Sequence, residues 1–397
     1  MRGTAYLTDV EGRWDKLTTF AEANALVSLI DGRLVLADGA TFVFGGDAID
    51  RGPDARRIVA LFLDAKARYG DRVVLLAGNR DLNKLRLVRE LDGHPPTRTP
   101  DALRSGPRGA LLRWICAHTM GAPDAFEHRS RELANDGVAH DDEAVVESFL
   151  ADLGPSGALR RYLAACQLAH RDGETLYLHG AITDESHGVL PGVARRIDSV
   201  DDWVEALNAF HSREIEAFEA GREPSAVIAY QAPLPGTRAN QASVVYGRPA
   251  DALGNPLLPG EATRAFLRRG EIRRVVVGHT PSGDCPAIVR DDALELVLAD
   301  NAYGRIERGS QVTIESERLH IAARTRLDDG TERTIRSSTS LTDRGPLGLR
   351  DASTGQLVKS RLEDGDYLLF RALPNNAVEQ KAASEIDVDA RSLEPAR

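Results

Sequence analysis

The chain has 397 residues, of which 42% are hydrophobic and 28% charged, with a formal net charge of -10. Those values belong to a globular protein able to bury a sizeable core, and the acidic balance argues against a general nucleic-acid-binding surface. Cys116, Cys166 and Cys285 form no CxxC pair, the opening MRGTAYLTD is no secretion signal, and no run of roughly 18 apolar residues occurs, so a reducing, cytoplasmic setting without a membrane span is expected.

TAYLT is the first predicted strand, followed at once by Asp9, Glu11 and a glycine. Two acids one residue apart on one face of a strand repel unless positive charge sits between them, and Arg13, a lysine or a metal ion can supply it. The spacing of Trp14, Leu17, Phe20 and Ala21 predicts an amphipathic helix. ATFVFGGD is an apolar run ending in glycines, as in a strand buried on both faces. PDARRIVALFLDAKARYG has helical spacing between Pro53 and Gly70, a start and a stop signal. DRVVLLAGNRD is a further buried strand running into a Gly-Asn turn. Alternating strands and helices imply right-handed crossovers and parallel pairing.

Residues 84–160 break this rhythm with GHPPTRTP and several helix-like segments, read here as a helical cap insertion in a domain spanning 1–308. The rhythm returns at ETLYLHGAI and IRRVVVGHTP, and PAIVRDDALELVLADNAYG reads as two or three short strands. Alternating stretches such as QVTIESERLHIAA and DGDYLLFRAL predict a β-rich extension over 309–380, and the charged segment 381–397 is expected to be disordered.

Several of these strands end in the same kind of residue. Asp9 and Glu11 follow the first, Asp47 the second, Asn79 the third, and His179 and His279 follow later ones. Functional loops of open α/β sheets gather at the carboxyl ends of strands, so these side chains are expected to converge. Carboxylates suit hard cations and imidazoles suit zinc, iron or manganese. A mixed shell with one shared carboxylate suits two ions roughly 3.5–4 Å apart, which activate water and clamp a phosphoryl group.

DVEG, GDAIDRG, GNRD, LHG and GHT, in this order, resemble the motifs of the calcineurin-like metallophosphoesterase superfamily, and GDxxDRG resembles its phosphoprotein-phosphatase-like branch. The resemblance implies two packed mixed β-sheets flanked by helices, an α/β sandwich. It implies a hydrolase acting on phosphoric esters through two divalent ions, with Asp9 and Glu11 on the first, Asp47 bridging, and Asn79, His179 and His279 on the second. Arg51 and Arg248 would grip substrate phosphate. Asp50, Arg80 and Asp81 would complete the catalytic set.

Two positions depart from the family pattern. Glu11 replaces a histidine and adds negative charge, which favours manganese, or magnesium, over zinc. Arg80 replaces the histidine that protonates the leaving group, and arginine is a poor general acid. An Asp50–Arg80 ion pair is the expected substitute, with His94, His118 or His187 as alternative proton donors. The expected substrate is phosphorylated, a phosphoserine or phosphothreonine protein or a small molecule such as a nucleotide or dinucleoside polyphosphate. A catalytically weakened metal-binding scaffold is the alternative.

Overall fold

The computed structural model describes residues 3–237, 239–302 and 311–388. Its strands are β1 (Gly3–Leu7), β2 (Val27–Ile30), β3 (Arg33–Leu36), β4 (Ala40–Phe44), β5 (Val73–Leu75), β6 (Ala169–Asp172), β7 (Thr175–Leu178), β8 (Arg274–Val277), β9 (Ala287–Arg290), β10 (Glu295–Leu298), β11 (Gln311–Glu315), β12 (Arg318–Arg326), β13 (Glu332–Ser340), β14 (Leu357–Arg361), β15 (Tyr367–Ala372) and β16 (Val378–Ala383). Six of them form one sheet in the order β13-β12-β11-β1-β4-β5, and five form another in the order β6-β7-β8-β10-β9. Strands β1, β4 and β5 pair in parallel, as do β7, β8 and β10. The architecture is α/β, with mixed sheets flanked by helices, as the alternating elements imply.

Two-sided burial follows from residue alternation. Tyr6 of β1 stacks on Tyr177 of β7 with ring centroids 5.8 Å apart, and Val43, Val74, Val276, Val297 and Val312 fill the layer between the sheets. Ala5 and Leu7 belong instead to the cluster that contains Leu17 and Phe20 of helix Trp14–Ala23 and Ile58 and Phe62 of helix Ala55–Tyr69. Each buried Leu or Phe contributes about 1.5–3 kcal/mol. The predicted stop at Gly70 is a left-handed residue whose N–H bonds back to Lys66. Between β5 and β6 lie the helices from Leu87–Glu90 to Ala158–Ala165, whose Leu112, Ile115, Phe126 and Val146 join the same cluster as Leu17. Among the described residues, no helix is long and apolar enough to cross a membrane.

The segment 309–380 is not one extension. Strand β11 pairs antiparallel with β1, so β11, β12 and β13 complete the first sheet and β14, β15 and β16 alone form a separate one. The cause is apolar burial: Val312 and Ile314 enter the layer between the sheets, and β11 covers an edge of β1 that would otherwise present unpaired backbone groups. Residues 381–383 of the segment expected to be disordered end β16, and 389–397 lie outside the described residues.

One buried histidine makes folding pH-dependent. In helix Val200–Glu219, His211 is almost wholly buried, its Nε2–H donating to the Leu163 carbonyl at 2.8 Å and its Nδ1 without a partner among the described residues. Burial holds its pKa below the ordinary value. The unfolded chain therefore binds a proton that the folded chain refuses, and stability drops as pH falls through about 6.5, by up to ~1.4 kcal/mol per pH unit. His211→Gln keeps a donor to Leu163 without titrating, so its guanidinium melts should decline less steeply between pH 6.5 and 5. Equal slopes in the two proteins would contradict this origin.

Candidate metal centre

All six parallel strands deliver a polar residue to one region. Asp9 and Glu11 follow β1, Asp47 follows β4, Asn79 follows β5, His179 follows β7, His279 follows β8, and Asp300 follows β10. Strand β1 ends at Leu7, so strand alternation does not explain the two acids. The turn backbone does. Among the described residues, nine non-glycine positions have positive φ, and five of these are Asp9 (51°), Glu11 (51°), Asp47 (58°), Asp50 (117°) and His279 (57°). Such conformations cost roughly 1–3 kcal/mol each and persist where surrounding bonds fix them. Here Asp9 N donates to Gly46 O at 3.0 Å, Glu11 N to Asp47 O at 2.9 Å and Arg51 N to Glu11 O at 2.8 Å. Gly78 permits the close approach, because a Cβ there would lie 2.1 Å from Asp47 Oδ1.

Asp47, His179 and His279, all buried, offer ligand atoms within 4.8 Å of one another. His179 Nδ1 lies 2.7 Å from the Gly45 carbonyl, to which it can only donate. In the neutral ring Nε2 is then a lone pair, yet it faces Asn79 Oδ1 at 3.2 Å and Asp47 Oδ1 at 3.4 Å. Three electron-rich atoms directed at one another fit a shared cation. His279 repeats the pattern: its buried Nε2 has no partner among the described residues, while the ring hydrogen-bonds the Tyr246 backbone. Burial, with Arg248 nearby, holds this imidazole well below its ordinary pKa. It is therefore neutral and able to ligate.

The acids crowd one another. Asp9 Oδ2 accepts from Thr8 Oγ1 at 2.6 Å and from His279 N at 3.1 Å. Burial, followed by the charges of Asp300 and Asp47, pushes its pKa well up. Burial pushes Glu11 up to about 7 against the opposing pull of Arg80 and Arg51. Burial raises Asp300 as well. Buried carboxylates gathered with two imidazoles and an amide suit borderline divalent ions such as manganese, iron or zinc. The residues present therefore fit a metal centre.

Asp9, Glu11, Asp47, Asn79, His279 and Asp300 open into a cavity of about 310 Å³ that Arg80 and Arg248 also line. A larger groove of about 580 Å³, between Leu85, Leu150 and Phe218, contains none of these groups. Arg80 Nε binds Glu11 Oε1 at 2.7 Å and approaches Asp47 Oδ2 at 3.4 Å. Arg51 Nη1 lies 3.6 Å from Glu11 Oε2, beside the cavity rather than in its wall. His94, His118 and His187 do not line the cavity.

The expected Asp50–Arg80 ion pair is present but long, at 3.7 Å, because Glu11 holds the Arg80 guanidinium, and Asp50 pairs more closely with Lys84 at 2.7 Å. One expectation needs correction. Asp81 does not face the cavity. Its oxygens accept backbone N–H bonds from Asp47 (3.0 Å), Ala48 (2.9 Å) and Gly78 (3.0 Å), which makes it a positioning residue for the loop of Asp47.

Sequence reasoning missed Asp300, Lys16 and Lys84. Asp300 ends the apolar run LELVLAD much as Asp47 ends ATFVFGGD, a signal that could have found it. Lys16 is buried and donates to the Asp9 backbone carbonyl at 3.2 Å, bringing a lysine close to the acids. Arg13 instead binds Asp15 at 2.7 Å.

A family model described as calcineurin-like phosphoesterase matches residues 5–283. Among solved structures, a cold-active protein-tyrosine phosphatase of the psychrophile Shewanella sp. is 17% identical, covering 84% of this chain and 80% of its own, with a TM-score of 0.47. A protein serine/threonine phosphatase from Saccharomyces cerevisiae, with similarity to human phosphatase PP5, is 12% identical over 80% of this chain and 73% of its own, with a TM-score of 0.39. Among proteins with curated descriptions, none matches.

Proposed function

This chain belongs to the calcineurin-like phosphoesterase family, and on that premise we propose that it hydrolyses phosphate esters of small molecules at a two-ion centre. The observation that carries this reading is the convergence of Asp47, His179 and His279 within 4.8 Å, with the Nε2 of His179 facing oxygens of Asp47 and Asn79. Asp9 and Glu11 would hold one ion, Asn79, His179 and His279 the other, and Asp47 both. Bound divalent ions supply Lewis acidity and a water that ionises near neutral pH. Manganese is the proposed native metal because Glu11 adds charge to a site that otherwise suits iron or zinc, with magnesium a harder substitute.

The chain's own residues do the rest. Arg248, in the cavity wall, and Arg51, beside Glu11, orient the phosphate through planar, permanently charged guanidinium groups. Arg80 remains protonated and balances charge near the leaving group, but it does not donate a proton. His279 is the only histidine of the wall among the described residues, and it is assigned here to a metal. Substrates with acidic leaving groups, which need no proton, are therefore favoured. The cavity of about 310 Å³ is also lined by residues 119–121 and 231–233, and its small volume favours a phosphorylated small molecule over an extended phosphoprotein segment. The buried, unpaired Cys116, Cys166 and Cys285 fit the reducing cytoplasm as its location.

Manganese-loaded protein assayed with p-nitrophenyl phosphate, bis-p-nitrophenyl phosphate, a phosphopeptide and a dinucleoside polyphosphate tests the reading. Turnover of p-nitrophenyl phosphate well above that of the phosphopeptide is expected. Tight metal binding with no turnover of any of the four would favour the scaffold alternative.

A further inference from the structure

We propose that the sheet β14-β15-β16 is a positioning element for the metal centre, acting through Lys359 and Gln380 on the loop that carries His279. The inference rests on the two-ion reading above. His279 follows β8 in left-handed backbone, so its loop, residues 278–284, must be fixed by its surroundings. One side is held by β10. Ser282 N donates to Asp300 O at 2.9 Å, and Ser282 Oγ bonds Leu298 O at 3.2 Å and Asp300 O at 3.1 Å. That tie joins the His279 loop to the segment that brings Asp300 to the cavity wall.

The other side is held by the separate sheet. Lys359 of β14 is fully buried, and its ammonium donates to the Ser282 carbonyl, three residues from His279. The same group lies over the Phe370 ring of β15, 4.4 Å from its centroid. Gln380 of β16, also fully buried, donates through Nε2 to Asp284 Oδ2 at 2.8 Å, an oxygen that also accepts Arg326 N at 2.9 Å. Gly283 lies in the contact, since a Cβ there would sit 2.8 Å from Gln380 Oε1. A buried ammonium is costly, and packing alone would be served by an apolar side chain; here the charge is directed at the backbone of the ligand loop. The sheet also braces the segment after Arg248, where Ala372 N donates to Asn255 Oδ1 at 2.8 Å, and Arg350, ahead of β14, donates through Nη2 to Pro256 O at 3.2 Å.

Lys359→Met and Gln380→Met, each in the full chain, test this role. Calorimetric titration with Mn²⁺ should show the affinity of the ion served by His279 reduced about ten- to hundredfold, the range for residues behind a metal ligand. The visible absorption bands of the Co²⁺-substituted protein should shift, and kcat should fall more than KM rises. Either folded variant with wild-type Mn²⁺ affinity and an unchanged Co²⁺ spectrum overturns the positioning role alone, and Gln380→Met decides the matter should Lys359→Met fail to fold. A wild-type chain that takes up no Mn²⁺ overturns this role together with the two-ion reading.

Discussion

Asp47→Asn is expected to lower turnover by about 10³-fold or more while leaving the fold intact. Lewis-acid stabilisation is worth several kcal/mol, and each ~1.4 kcal/mol is tenfold in rate. Asp47 Oδ1 lies 3.4 Å from His179 Nε2 and accepts Arg80 N at 2.8 Å, while Oδ2 faces Arg80 Nε at 3.4 Å. The carboxylate thus lies beside His179 and beside the arginine that binds Glu11. An amide keeps the shape but loses the charge and turns one oxygen into a donor. The backbone of residue 47 still donates to Asp81 and accepts from Glu11, so melting should change little. The check is metal content measured beside kcat. A fully active variant that retains two ions would place the chemistry elsewhere.

Lys84→Met should cost about 3–5 kcal/mol of stability, the range for removing one partner of a buried ion pair. The side chains of Lys84 and Asp50 are 1% and 2% exposed and meet at 2.7 Å. The ammonium also donates to Asn83 Oδ1 at 2.8 Å and to Arg80 O at 3.2 Å. Its loss strands the Asp50 carboxylate with only Arg80, 3.7 Å away. Guanidinium unfolding measures the loss, and Asp50→Asn combined with Lys84→Met should recover much of it, since no unpaired charge remains. A single variant that loses less than about 1 kcal/mol would mean the pair behaves like an exposed one.

Much of this arrangement is legible in the sequence because each parallel strand is a short apolar run that ends abruptly in a polar residue. Glycines beside Asp47, Asn79, His179 and His279 made those ends conspicuous. Asp300 has no adjacent glycine, and the nearby Asp291, Asp292 and Glu295 hid it among other acids. Lys16 sits in an amphipathic helix where a polar residue is read as solvated, yet it reaches inward to the Asp9 carbonyl. That Lys84 is a closer partner of Asp50 than Arg80 is depends on the unusual backbone at Asp50 and on the competition of Glu11 for Arg80. Neither is encoded in the local motif. The inward turn of Asp81 likewise depends on three backbone N–H groups from two loops. The pairing of β11 with β1 joins residues about three hundred positions apart, and alternation within a strand says nothing about so distant a partner.

Anomalous diffraction from crystals grown with Mn²⁺ tests the central claim most directly. The account predicts two peaks roughly 3.5–4 Å apart, one beside Asn79, His179 and His279, the other beside Asp9 and Glu11, with Asp47 touching both. Density without a peak among Asp47, His179 and His279 would contradict it.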